Sequence, residues 1–110
     1  MTTAVKVLIE SKTAENAETT QYISSGMSTL IDKFTAMNIS GATQSITVSL
    51  VPSGQVAAAA YKVVTVAILP GKSYTFPEIV GHSLDSGDFI STLPTAASAI
   101  NIRSSGRQIT

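Results

Sequence analysis

A single histidine, His82, sits in Val80-Gly81-His82-Ser83-Leu84-Asp85-Ser86-Gly87-Asp88, the stretch of this 110-residue chain richest in chemically capable side chains. Ser83, His82 and Asp85 are the residue types of a hydrolytic triad, in which a base takes the serine proton and a carboxylate orients the base. The spacing argues against that chemistry. A nucleophile elbow needs glycine two residues to either side of the serine; Gly81 supplies the first, but Asp85 stands where the second belongs. Neighbouring residues on an extended segment also point to opposite faces, which turns His82 away from Ser83. His82, Asp85 and Asp88 offer three metal ligands at most, without the pattern of a calcium loop. The stretch therefore reads as a turn, with Asp85, Ser86, Gly87 and Asp88 supplying turn geometry and side-chain-to-backbone hydrogen bonds.

The other carboxylates, Glu10, Glu15, Glu18, Asp32 and Glu78, are scattered. No spacing pairs two of them across a cleft, as glycoside hydrolysis requires, and they read as solvated surface charges. With three Tyr, three Phe and no Trp, the chain lacks the aromatic platforms of a sugar-binding sandwich. No catalytic, cofactor-binding or metal-binding residue is assigned, and an enzyme is not expected.

Composition narrows the class further. Seven Lys and Arg balance seven Asp and Glu, and only 13% of residues are charged. No basic face is available to displace phosphate counterions, so a nucleic-acid partner is not expected. The longest apolar run, Val56 to Tyr61, is far shorter than the roughly 20 residues that span a bilayer, so no membrane partner is expected either. The chain has no cysteine, which leaves packing and backbone pairing to hold the fold. The N-terminus shows no basic segment followed by an apolar block, and folding in the cytoplasm where the chain is made is the expectation.

The elements that must position these residues are strands. Ser and Thr together number 29, and with Val and Ile they make a β composition with hydroxylated outer faces. Thr43 to Val51 alternates cleanly, with Ile46, Val48 and Leu50 opposite Ser45, Thr47 and Ser49. Tyr61 to Leu69 is apolar on both parities and reads as a central strand. Pro70-Gly71 then reads as a hairpin turn into Lys72 to Phe76. Ala4 to Glu10 and the more polar Glu18 to Ser24, an edge candidate, come earlier, with Lys12 to Ala17 as the loop between them. Met27 to Ile39 changes parity, which calls for a bulge near Asp32-Lys33. Asp88 to Leu93 and Ala99 to Ser104 follow, the latter with Ile100 and Ile102 inward, Asn101 and Arg103 outward, and Gly106 as its stop. Four alanines cannot nucleate a helix alone, so Pro52 to Ala60 reads as a protruding loop holding one helical turn. The fold class is all-β: one antiparallel β-sandwich domain over residues 1–110, jelly-roll-like, with seven to nine short strands. Residues 1–6 form a flexible N-terminal arm in this reading. The apolar loop at Ala57 to Ala60 and the Ile90 to Pro94 end are candidates for interface.

The order of landmarks resembles a known group. The runs Met27-Ser28-Thr29-Leu30-Ile31-Asp32-Lys33-Phe34-Thr35-Ala36-Met37-Asn38-Ile39-Ser40-Gly41, Thr47-Val48-Ser49-Leu50-Val51-Pro52-Ser53-Gly54, Ile68-Leu69-Pro70-Gly71-Lys72-Ser73-Tyr74 and Val80 through Ile90 resemble small β-sandwich virion proteins of tailed bacteriophages. The likeness runs from about Tyr22 to Thr110, and within the group it is to the capsid decoration, or cement, proteins of short-tailed phages. It implies a jelly roll on the outer capsid surface of the virion, clamping neighbouring major capsid subunits, and a homo-oligomer with a dimer favoured. A tail, baseplate or head-to-tail connector component is the alternative. Partner contacts are placed at Thr2, Thr3, Ala4, Val5 and Lys6, and at Gln55, Val56, Ala57, Ala58, Ala59 and Ala60.

Overall fold

Period-2 alternation becomes nine strands in the structure, a computed structural model that describes residues 2–110. They are β1 (Thr3–Thr13), β2 (Thr19–Ile23), β3 (Ser28–Asn38), β4 (Gln44–Val51), β5 (Lys62–Ile68), β6 (Ser73–Tyr74), β7 (Ser83–Leu84), β8 (Phe89–Pro94) and β9 (Ile100–Ile109). A single 3-10 turn, Ala59–Tyr61, is the helical turn of the 52–60 loop. One sheet has the order β1-β9-β3-β6, with β7 also pairing β3, and the other β2-β8-β4-β5; all pairs are antiparallel. This is the strand order of a jelly roll, with the sixth of its eight lanes in chain order broken into β6 and β7. The molecule measures 46 × 26 × 20 Å, the short axis matching two sheets about 10 Å apart.

The core fills the space between the sheets. Ile31, Phe34 and Ala36 of β3, Ile46 and Val48 of β4, Ile90 of β8, and Ile100 and Ile102 of β9 are buried in one cluster. The expected bulge is present: the β3–β9 register shifts between Ile31 and Lys33, so that Ile31 and Phe34, three residues apart, both face inward. The broken lane closes the same core. Between β6 and β7 the chain leaves the sheet and drops Phe76 and Ile79 inside. Phe76 packs edge-on against Phe34 with ring centroids 4.9 Å apart, and against Tyr74 at 4.8 Å. Its φ of 47° lies in the left-handed region, a local cost tolerated because a buried aromatic side chain is anchored there.

Several expectations are corrected. Thr3 to Lys6 are not an arm; they are the first part of β1, paired with Gly106 to Ile109, and Thr2 and Thr110 exchange backbone hydrogen bonds at 3.2 and 2.9 Å. Met1, the first residue of that expected arm, lies outside the described residues. The strand at Tyr61 to Leu69 is β5, an edge strand rather than a central one. Alternation reports which faces of a strand are covered and says nothing about whether its edges are paired. Pro70-Gly71 does not turn a hairpin either. The Gly71 N–H donates to Asn38 O (2.9 Å) and the Asn38 N–H to Lys72 O (3.0 Å), which draws the chain across to the opposite sheet. Gly106 does not stop β9, which runs through it to Ile109. A Cβ there would lie 2.1 Å from Leu30 O, so this glycine permits close approach of β3 instead of ending a strand. Ile90 to Pro94 lie in β8, paired with β2 and β4, and Ile90, Ser91, Thr92 and Pro94 are buried, so they present no apolar loop.

Candidate interaction surface

Strand register brings the two expected contact segments to the same end of the sandwich. Ser28 at the start of β3 pairs with Ile109, and Ile109 pairs with Thr3. In the other sheet Phe89 pairs with both Ile23 and Val51, so the 24–27, 52–61 and 85–88 loops leave from that end too. Thr2 to Lys6, Thr110 and Gln55 to Ala60 therefore share one pole of the molecule.

Asp88 ties this pole together. Its Oδ1 accepts from the Ser53 N–H and its Oδ2 from the Asp85 N–H, both at 2.9 Å, while its carbonyl accepts from the Ser24 N–H at 2.9 Å. One residue thereby holds three loops, two through its carboxylate, which makes the side-chain-to-backbone hydrogen bonds expected of the 85–88 turn, and the third through its carbonyl. The Gly87 N–H donates to Ser24 O, and the Gly26 N–H donates to Ser86 Oγ at 3.1 Å. Gly87 has φ +92°, and a Cβ on it would meet Ser53 Oγ at 2.3 Å, so both conformation and space require glycine. Beneath the loops, Tyr22 Oη contacts Thr29 Oγ1 (2.8 Å) and accepts from Gln108 Nε2 (2.8 Å), and Ser24 Oγ donates to Met27 O (2.7 Å). Sequence reasoning missed this network, whose members lie 86 residues apart at the extreme.

On this rigid base sit apolar side chains turned to solvent: Val5 is 82% exposed, Val56 77% and Ile23 54%. Thr3, Lys6, Gln55, Ala58, Ala59 and Ala60 are also exposed, while Ala4 and Ala57 are half-buried. Ile23 carried no signal in the sequence, because a polar strand gives no reason to single out its last residue. Alternation does not separate an outward valine from an inward one until register is known.

Elsewhere the surface gathers little chemistry. His82 enters the hydrogen-bond pattern through its backbone, donating to Ile79 O and accepting from the Ile31 N–H, both at 3.0 Å. Ser83 begins a strand and Asp85 a turn, and the described residues show no hydrogen bond among these three side chains. Among the described residues no group of three His, Asp or Glu is gathered as metal ligands, and no helix is long and apolar enough to cross a membrane. An open groove of about 370 Å³ lies on the outer face of the β1-β9-β3-β6 sheet, lined by Ser11, Thr35, Met37, Ser73, Asn101, Ile102 and Arg103. Arg103 there is only loosely engaged, 3.3 Å from Ser11 Oγ and 3.7 Å from Glu10. The groove holds hydroxyls and a guanidinium but no general base positioned on a nucleophile.

Comparison with known proteins is sparse. No protein-family model matches the chain, and no curated protein matches it. Among solved structures it is similar to a subunit from work on Bacillus endospore appendages, described as a family of disulfide-linked pili. That similarity has a TM-score of 0.57 at 18% identity, covering 99% of this chain and 88% of the other. At that identity it speaks to the fold.

Proposed function

We propose that this protein is a structural subunit that works by docking on other protein copies, and that it decorates the outer capsid of a bacteriophage, clamping neighbouring major capsid subunits. The observation that carries the reading is the pole where Val5, Val56 and Ile23 stand exposed on a framework pinned by Asp88. Exposed apolar side chains on a pre-ordered base suit a protein interface, because docking covers apolar surface without ordering loops first. The balanced charge of the chain adds no long-range repulsion between closely spaced copies. Decoration acts by mass action: a protein that binds only the assembled shell stabilises it by its binding free energy, multiplied over all copies.

Cosedimentation tests this. The protein mixed with shells that lack it is expected to pellet with them and to raise their melting temperature. Val5→Asp and Val56→Asp, both at solvent-facing positions, should keep the fold and lose the pelleting. Wild-type protein that stays in the supernatant would sink the reading.

A second reading is favoured by the structural neighbour: a repeating subunit of a pilus-like appendage. With no cysteine, this chain would have to build such a fibre without disulfide links of its own. Fibres in electron micrographs of the purified protein would support it.

A further inference from the structure

The four edges of the two sheets are not equally protected. Bare strand edges template pairing with another chain, and native proteins blunt them with bulges, charges or brevity. The β1 edge has two register breaks, between Val7 and Ile9 and between Ile9 and Lys12, and carries Lys6, Glu10 and Lys12. The β6 and β7 edge consists of two strands of two residues each. The β2 edge has five residues interrupted between Thr20 and Tyr22. The β5 edge is different. Its one irregularity is at its start, between the Val48–Val64 and Ser49–Lys62 pairs, and Val64-Thr65-Val66-Ala67-Ile68 then runs in unbroken register, without proline and without charge.

We propose that the β5 edge is the two-fold interface of a homodimer, in which β5 of a second copy pairs antiparallel with it and joins two four-stranded sheets into one of eight strands. The segment is complementary to itself. Placing the two-fold axis on Val66 sets Val64 opposite the partner copy's Ile68 and Thr65 opposite its Ala67. Inward residues then meet inward residues, and outward meet outward. Lys62, the only charge on β5, falls beyond each end of that pairing, so the two copies bring no like charges together. Val64 and Val66 pack against the core but remain half-buried at the sheet margin, and a second copy would continue the core over them. Because the pairing joins identical edges, it is closed at two copies and does not propagate. The inference rests on the geometry of the β5 edge and goes beyond the reading above, whatever the identity of the particle.

The test uses sedimentation over a wide concentration range, with two proline variants. Adjacent residues on a strand direct their N–H groups to opposite sides, so one of Thr65→Pro and Val66→Pro removes a bond to β4 and the other a bond to the second copy. The wild type is expected to be a dimer. One proline variant should unfold, and the other should fold and self-associate about 100-fold more weakly, since the symmetry deletes two bonds worth about tenfold each. If both variants unfold, hydrogen exchange on the wild type reads the edge instead: β5 amides facing away from β4 should lose protection on dilution. A monomeric wild type, a ladder of growing masses, a folded proline variant with undiminished association, or concentration-independent exchange would each overturn the proposal. None of these outcomes depends on shell binding, so failure of the dimer and failure of the capsid reading are separable.

Discussion

Asn38 shows how one polar side chain can lock two sheets together. It is fully buried at the end of β3, and its Nδ2 donates to Ala42 O (2.7 Å) and to Ile68 O on β5 (2.8 Å). Its Oδ1 accepts from the Ser40 N–H (2.9 Å) and Ser40 Oγ (2.7 Å). Every hydrogen-bonding position that burial removes from water is thereby refilled. Asn38→Ala removes the buried donor to Ile68 O, while Ala42 O keeps Ser40 Oγ (2.9 Å), and should lower unfolding free energy by about 1–3 kcal/mol, measured by urea denaturation. At the surface the stakes are smaller. Hydrogen bonds from Lys12 (2.9 Å) and Gln21 (3.1 Å) lower the Glu15 carboxyl from its ordinary 4.5 to about 2. A carboxyl depressed in the folded state contributes stability above its unfolded pKa and loses it as pH falls toward the folded value. Glu15 is about half exposed, so solvent screening keeps the effect within roughly 1 kcal/mol. The stability gap between wild type and Glu15→Gln should therefore be visible at neutral pH and close between about pH 4.5 and 2. A gap that widens on acidification would contradict this assignment.

At the scale of elements, the strands were legible where alternation is strong and the pairing was not. The bulge at Asp32-Lys33 could be read because Ile31 lies on one parity and Phe34 and Ala36 on the other, and they cannot all face one core without a parity change. The edge position of β5 could not be read, because Val63, Thr65 and Ala67 tell of its outer face and nothing of its free edge. The same limit hid the passage of Gly106 through β9, since a glycine that ends a strand and one that admits Leu30 O look identical in sequence. The broken sixth lane escaped too: Tyr74 and Phe76 share a parity, but the left-handed turn at Phe76 takes the chain out of the sheet. Two-residue strands hold few ladder bonds, so β6 and β7 should open more readily than the ten-residue β9 between β1 and β3. Hydrogen exchange followed residue by residue should find amides of Ser73, Tyr74, Ser83 and Leu84 exchanging well before those of β9. Equal protection across both would mean that the lane is continuous in solution.

For the whole molecule, the interaction surface was only partly legible in the sequence. Two candidate segments were named separately at Thr2 to Lys6 and Gln55 to Ala60, and only strand register reveals that they share a pole. Ile23 and the Asp88 tie between loops complete that pole and needed coordinates to be found. A jelly roll joined mostly by non-local pairings, with no disulfide, relies on core burial for its stability, and in the proposed role the particle adds stability through docking. Structural decoration then demands numbers, since a clamp acts only where it is present at many equivalent positions. The direct measurement is the ratio of this chain to the major capsid protein in purified phage particles, by quantitative mass spectrometry. A ratio comparable to the number of capsid subunits is the predicted result. A count of a dozen or fewer copies per particle would place the protein in the tail or connector, and its absence from particles would contradict the account.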